Sequence, residues 1–204
     1  MEILELNKLL GNIDIYLLDQ ILKGRFTKEM KILDAGCGEG RNAIYFIQMG
    51  YQIYGIDPNE TAIQYCRYLS KSLKQDFDMH RFQVGKLEEI PFHSRSFDAL
   101  ICSAVLHFAE NEDKFWQMIK EIHRVLRPGG LFWFRMCTSF GGIDPRMGNL
   151  GNGRYQLPDG SERFVFLPEY EEKLKEIGFR FLENPKTVLV LGHREMGVFL
   201  VEKV

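Results

Sequence analysis

Apolar residues fall at two spacings along this chain, and the spacing changes where the structure should change. Over residues 3–23, Ile3, Leu6, Leu10, Ile13, Leu17 and Ile21 recur near a 3.6-residue period, which predicts one or two amphipathic helices. Compact apolar runs follow at Lys31–Ala35, Gln52–Asp57, His80–Val84, Phe97–Ser103 and Gly130–Met136, each short enough for a buried strand. Helical patterns separate them at Arg41–Met49, Glu60–Gln75 and Glu112–Leu126. In the last of these Phe115, Ile119, Ile122 and Leu126 mark one face, and Pro128-Gly129-Gly130 stops it. Strands alternating with helices predict a mostly parallel sheet covered on both faces.

The periodicity lapses from Cys137 to Gly160, where Gly141, Gly142, Gly148, Gly151, Gly153 and Gly160 predict turns and loop. A stretch this long without regular structure tends to be functional or disordered. A helix at Glu169–Ile177, a strand at Phe179–Glu183 and a closing strand near Met196–Glu202 complete the order. With neither repeats nor a linker, residues 1–204 read as one domain. It divides into N-terminal helices (1–30), a core (31–136), an insert (137–166) and a C-terminal helix with strands (167–204).

Composition narrows the function classes. At 45% hydrophobic and 26% charged residues the chain is ordinary for a globular protein. A formal net charge of −2 supplies no general attraction for nucleic acid or an anionic membrane. No apolar run reaches membrane-spanning length and no secretory leader opens the chain, so a cytoplasmic protein, monomer or homodimer, is expected. Cys37, Cys66, Cys102 and Cys137 form no C-x-x-C pair, and the histidines are dispersed, so buried reduced thiols and no metal are expected.

The chemistry concentrates in Lys31-Ile32-Leu33-Asp34-Ala35-Gly36-Cys37-Gly38-Glu39-Gly40-Arg41-Asn42. A buried strand ending in a turn without Cβ atoms lets a ligand approach the backbone, and the helix that follows offers it N–H groups. A dinucleotide turn would read G-x-G-x-x-G. Here the third glycine arrives one residue early, with Arg41 in its place. The D-x-G-x-G-x-G pattern resembles motif I of the class I S-adenosylmethionine-dependent methyltransferases. That resemblance implies a Rossmann-like fold with a seven-stranded, mostly parallel sheet whose last strand is antiparallel. It further implies a turn (Gly36, Cys37, Gly38) cradling the methionine part of S-adenosylmethionine with Asp34 beside it, and S-adenosylhomocysteine as product.

Twenty-one residues beyond Gly36, Asp57 closes the second strand. A carboxylate there can accept two hydrogen bonds from a ribose diol, whereas Asp57-Pro58-Asn59 is also a helix-start sequence. The resemblance implies ribose binding. Val84-Gly85-Lys86-Leu87-Glu88-Glu89-Ile90-Pro91-Phe92 is similar to a family segment that usually has aspartate where Lys86 stands, so backbone groups of Lys86 and Leu87 are the expected adenine contacts. Ser96 to Phe108 resembles the fourth motif, placing Ser103 under the cofactor. His107 is a candidate proton acceptor, since imidazole titrates near neutral pH, or else a partly buried ring opening a turn. Glu121 to Gly130 resembles the family's helix-to-fifth-strand junction, an architectural element.

Methyl transfer from a sulfonium chiefly needs alignment, so substrate identity should reside in the N-terminal helices and the insert. Residues 137–166 are expected to form a lid suited to a small molecule, an anionic one included. Arg41, Phe140, Arg154, Tyr155 and Arg194 are candidate substrate contacts, with Arg146 and Arg163 also available. The Gly36–Asn42 segment is also similar to tellurite-resistance and thiopurine-type methyltransferases, which implies roles for His193 and Arg194 near the site. A plain loop before the last strand is the alternative there. For the whole chain the alternatives are a dinucleotide-dependent oxidoreductase and a cofactor-binding regulator without turnover.

Overall fold

A computed structural model describes residues 2–142 and 146–204. The N-terminal apolar stripe forms two helices, α1 (Ile3–Leu10) and α2 (Ile15–Leu22). Gly11, at φ 57°, turns the chain out of the first, and the Asp14 carboxylate caps the second by accepting from the Tyr16 N–H. The core then runs β1 (Lys31–Ala35), α3 (Ala43–Gln48), β2 (Gln52–Asp57), α4 (Glu60–Leu73), β3 (Phe82–Val84), β4 (Phe97–Ser103), α5 (Glu112–Val125) and β5 (Leu126–Cys137). After it come β6 (Gly148–Gly151), β7 (Arg154–Gln156), β8 (Glu162–Phe164), α6 (Tyr170–Ile177), β9 (Phe179–Phe181), β10 (Lys186–Val190) and β11 (Arg194–Lys203).

The main sheet has the order β10-β11-β5-β4-β1-β2-β3, with β9 also paired to β11. Strands β9 and β10 pair different lengths of the same neighbour, at Phe179–Phe181 and Lys186–Val190, so eight strands fill seven positions. Only β11 runs against the rest, which is the expected mixed sheet. Alternate side chains serve opposite layers, as the two-residue strand period requires. Leu33, Leu100, Phe132 and Phe134 pack with α5 and α6, while Ile32, Ile101 and Trp133 pack with α2, α3 and α4. Phe134 stacks on Phe199 at 4.5 Å and ties β5 to β11, and Phe132 stacks on Phe134 at 4.6 Å within β5.

Three expectations need correction. The third strand starts at Phe82, because the Asp78 carboxylate accepts from the His80 N–H and winds Met79–Arg81 into a 3-10 turn. An additional strand, β10, lies at an exposed edge, where a half-solvated surface leaves little alternation to read. The insert is not loop throughout: β6, β7 and β8 make a three-stranded antiparallel sheet. Its first turn, Asn152-Gly153 at φ 53° and 80°, has the two left-handed residues a tight hairpin needs. Phe164 stacks on Phe115 of α5 at 4.6 Å, so this sheet is anchored in the core. The part of the expected insert at residues 143–145 lies outside the described residues. All four cysteines are free and buried.

Candidate active site

Strand order reverses between β1 and β4, and a ligand crevice is expected beyond the carboxyl ends of strands at such a point. A cleft of about 580 Å³ opens there, with Gly36, Asp57, Lys86, Ser103, Phe108 and Met118 among its walls. Leu87, Val105 and Pro58 line it as well, giving one apolar flank beside a polar one.

The glycine turn is built for close approach. Gly36, at φ 78°, has no room for a side chain, since a Cβ would come within 2.4 Å of Val105 Cγ2. Among the described residues no atom lies within 4 Å of where a Gly38 Cβ would stand, so its backbone faces open space. The Gly38 N–H donates to Asp57 Oδ2 at 2.9 Å, and Oδ1 accepts from the Asn59 N–H at 2.9 Å. The helix cap is Asn59, whose side chain accepts from the Thr61 and Ala62 N–H groups, while Asp57 braces the turn before it. Each carboxylate oxygen still has acceptor capacity, so a ribose role is compatible with it. Cys37 turns away: its N–H donates to the Ile56 carbonyl and its thiol is buried toward Gly55 and Cys66. Cys37, one of the three turn residues expected to cradle the cofactor, is thus not among the walls of the cleft.

Asp34 is 1% exposed, and among the described residues neither oxygen has a hydrogen-bond partner. Burial pushes its carboxyl up to about 7; the Arg41 charge opposes this and the Asp57 charge adds to it. An orphaned buried carboxylate beside a glycine turn suits a ligand carrying positive charge. The methionine ammonium and sulfonium of S-adenosylmethionine fit that requirement, and the Gly36 cradle fits its approach.

Two anchors hold the remaining walls. Arg124 of α5 donates to the carbonyls of Ile90 and Phe92 at 2.9 and 2.8 Å, while Glu121 accepts from the Ile90 N–H. Together they pin the segment carrying Lys86 and Leu87, which line the cleft wall. At the end of β4, Ala104 adopts φ 60°, a left-handed conformation rare for a residue with a Cβ. Backbone strain of this kind clusters at ligand sites.

A buried polar network, absent from the sequence reading, closes the floor. Asp14 Oδ2 accepts from Ser103 Oγ at 3.2 Å and Arg135 Nη1 at 3.0 Å, and the Asp14 N–H donates to Asn42 Oδ1. Arg41 joins it through Ser103 Oγ at 3.1 Å and lies 3.8 Å from Asp14. The only local signal for Asp14 is its cap position.

The other candidates divide. His107 is 4% exposed, and burial, then Arg163, Arg194 and Arg135, push its ring down to about 4. The near-neutral titration expected of it is thereby removed, because a buried ring surrounded by cations resists protonation. His193 is exposed in the β10–β11 turn and lines a separate cavity of about 60 Å³ with Arg194. Phe140 packs against Phe166 and Phe199, and Tyr155 is buried with Cys137, Leu157, Val165 and Met196. Tyr155 is thus a core residue and Phe140 a partly buried one packed against the core, because the insert folds onto the main sheet. Arg154 pairs with Glu162 at 2.8 Å across the outer hairpin. Among the described residues no helix is long and apolar enough to cross a membrane.

Comparison with known proteins agrees with this architecture. Residues 33–134, half of the chain, match the family described as methyltransferase domain. The chain is 30% identical over 159 residues to a sterol 24-C-methyltransferase of Pneumocystis carinii, covering 75% of this chain and 40% of that protein. It is 32% identical over 109 residues to a human thiol S-methyltransferase, covering 52% of this chain and 42% of the relative. The chain thus spans about two fifths of the length of these relatives. In fold it is similar to a Burkholderia thailandensis 1,6-didemethyltoxoflavin-N1-methyltransferase solved with that compound and S-adenosylhomocysteine. There the TM-score is 0.68 at 19% identity, over 95% of this chain and 80% of the other. The chain belongs to the class I S-adenosylmethionine-dependent methyltransferase family.

Proposed function

We propose that this protein transfers a methyl group from S-adenosylmethionine to a small-molecule acceptor. The observation that carries the reading is the buried, unpartnered Asp34 carboxylate behind a cleft walled by Gly36, Asp57 and Ser103. A sulfonium supplies an activated methyl group and leaves as a neutral thioether. Asp34 opposes the positive charge of the methionine end, and Asp57 accepts from the ribose hydroxyls. Leu87, Val105 and Met118 exclude water around the adenine, with backbone groups of Lys86 and Leu87 at its polar edge. Alignment in a dry cleft is the main catalytic contribution, worth several kcal/mol.

Relatives that methylate sterols and thiols support a small-molecule acceptor. A net charge of −2 gives no general pull toward nucleic acid, and we place the protein in the cytoplasm as a monomer or homodimer.

Calorimetry with S-adenosylhomocysteine and, separately, NADH tests the cofactor. The first should bind and the second should not. Asp57→Ala should weaken S-adenosylhomocysteine binding by about 1.5–3 kcal/mol, roughly ten- to hundredfold. Unchanged affinity in that variant refutes the ribose role. Labelled cofactor incubated with pooled metabolites, followed by mass spectrometry of the labelled product, identifies the acceptor.

A further inference from the structure

The cleft walls follow the strand order of the sheet. Lys86 and Leu87 come just after β3, Asp57 ends β2, Gly36 follows β1 and Ser103 ends β4, in the order β3-β2-β1-β4. With adenine at Lys86 and Leu87 and ribose at Asp57, the sulfonium lies toward β1 and β4. Ser103 is therefore a polar wall on the side where an acceptor meets the methyl group.

Its hydroxyl hydrogen is already committed. Ser103 Oγ lies 3.2 Å from Asp14 Oδ2 and 3.1 Å from Arg41 Nη2. A guanidinium only donates and a carboxylate only accepts, so the hydrogen points to Asp14 and Arg41 takes one lone pair. Arg135 Nη1, 3.0 Å from the same Oδ2, and the Tyr16 N–H, 3.0 Å from Oδ1, hold that carboxylate in place. The Asp14 side chain is 2% exposed, so water does not compete for it. One lone pair is left on Oγ. Toward a ligand in the cleft, Ser103 can accept a hydrogen bond and cannot give one.

We propose that Ser103 positions the methyl acceptor by accepting a hydrogen bond from its reacting nitrogen, the acceptor being a neutral amine. The proposal deepens the methyltransferase reading and rests on it. An amine carries both a hydrogen for Oγ and a lone pair for the methyl carbon, so it needs no base before attack. A thiolate, a carboxylate or an alkene carbon has no such hydrogen to give. A hydroxyl has one, but must lose it to become a comparable nucleophile. In the transfer the nitrogen lone pair forms the N–C bond and the C–S pair leaves on sulfur, giving a neutral thioether and a methylated ammonium ion. The ammonium proton then passes to water. An N–H held at Oγ aligns the nitrogen for in-line attack.

The test supplies S-adenosylmethionine with an isotopically labelled methyl group and three probes of similar size: aniline, N-methylaniline and N,N-dimethylaniline. The first two carry an N–H and the third does not; labelled products are followed by mass spectrometry. The parent protein should methylate N-methylaniline roughly tenfold or more faster than N,N-dimethylaniline. Phenol and benzenethiol, run alongside, should react more slowly than N-methylaniline. Ser103→Ala should erase the preference for an N–H and Ser103→Thr should restore it, while S-adenosylhomocysteine affinity changes less than about threefold in both. Loss of packing alone would not separate the two amines. If Ser103→Ala does not fold, the parent's preference among the amines decides alone. Equal rates for the two substituted anilines, faster reaction of phenol or benzenethiol, or a preference retained in Ser103→Ala overturns the proposal. So does a parent protein that binds S-adenosylhomocysteine yet methylates neither N–H probe. Failure of S-adenosylhomocysteine to bind instead sinks the cofactor reading, and this inference with it.

Discussion

Asp34 shows how one residue sets stability against function. Its carboxyl is held near about 7 in the folded chain against an ordinary value of 3.8, burial being the main cause. Between those values the folded chain keeps a proton that the unfolded chain has released, so stability falls as pH rises through that window. The stabilising share is complete below the unfolded value and gone above the folded one. Asp34→Asn removes the titration while keeping the shape. In ligand-free protein the variant should be more stable than the parent at about pH 8, by up to about 4 kcal/mol, and nearly equal to it at about pH 4. Melting curves at the two pH values check this; a variant less stable at the higher pH contradicts it. Cofactor affinity should fall in the same variant, because a neutral amide no longer opposes a cation.

At the scale of elements, the insert is decided by one hairpin. Asn152 and Gly153 supply two consecutive left-handed residues, and a Cβ at Gly153 would come within 2.4 Å of the Phe164 ring. That ring is fully buried and stacked on Phe115, so it has little freedom to yield. Gly153→Ala therefore combines left-handed strain with overpacking and should cost about 2–4 kcal/mol in urea unfolding. A loss under about 1 kcal/mol would mean that the outer sheet is dispensable to the core. An Asn-Gly pair is a hairpin signal, but among so many glycines the stretch reads as turns and loop. Its strands are only three or four residues long, too short for alternation to register. The apolar run Val188-Leu189-Val190 was likewise visible, but pairing with β11 rather than a buried face makes it a strand.

Across the whole molecule, Asp14 ties the N-terminal helices to the cleft end of the sheet. Its partners Asn42, Ser103 and Arg135 stand 28, 89 and 121 residues away in sequence. Its side chain is 2% exposed, so removing it leaves the Arg135 charge without its carboxylate partner in a part-buried setting. Breaking such a pair from one side is strongly destabilising, and Asp14→Ala should lose about 3–5 kcal/mol of unfolding free energy by denaturant titration. An effect no larger than that of a surface substitution would show that the network does not hold the helices to the sheet.

The sequence by itself determined the order of the core strands and helices from β1 to β5 and, through the D-x-G-x-G-x-G turn, the family resemblance that implied the mixed sheet, because apolar spacing and that turn are local patterns. It also placed Gly36, Asp57, Lys86, Leu87 and Ser103, whose positions at strand ends the topology carries to one cleft. Tertiary structure alone decided that Asp34 has no hydrogen-bond partner among the described residues, that burial pushes the His107 ring down, and that Tyr155 is buried while Phe140 packs partly buried against the core. Burial and charge balance are sums over neighbours drawn from the entire chain, so no window of sequence contains them.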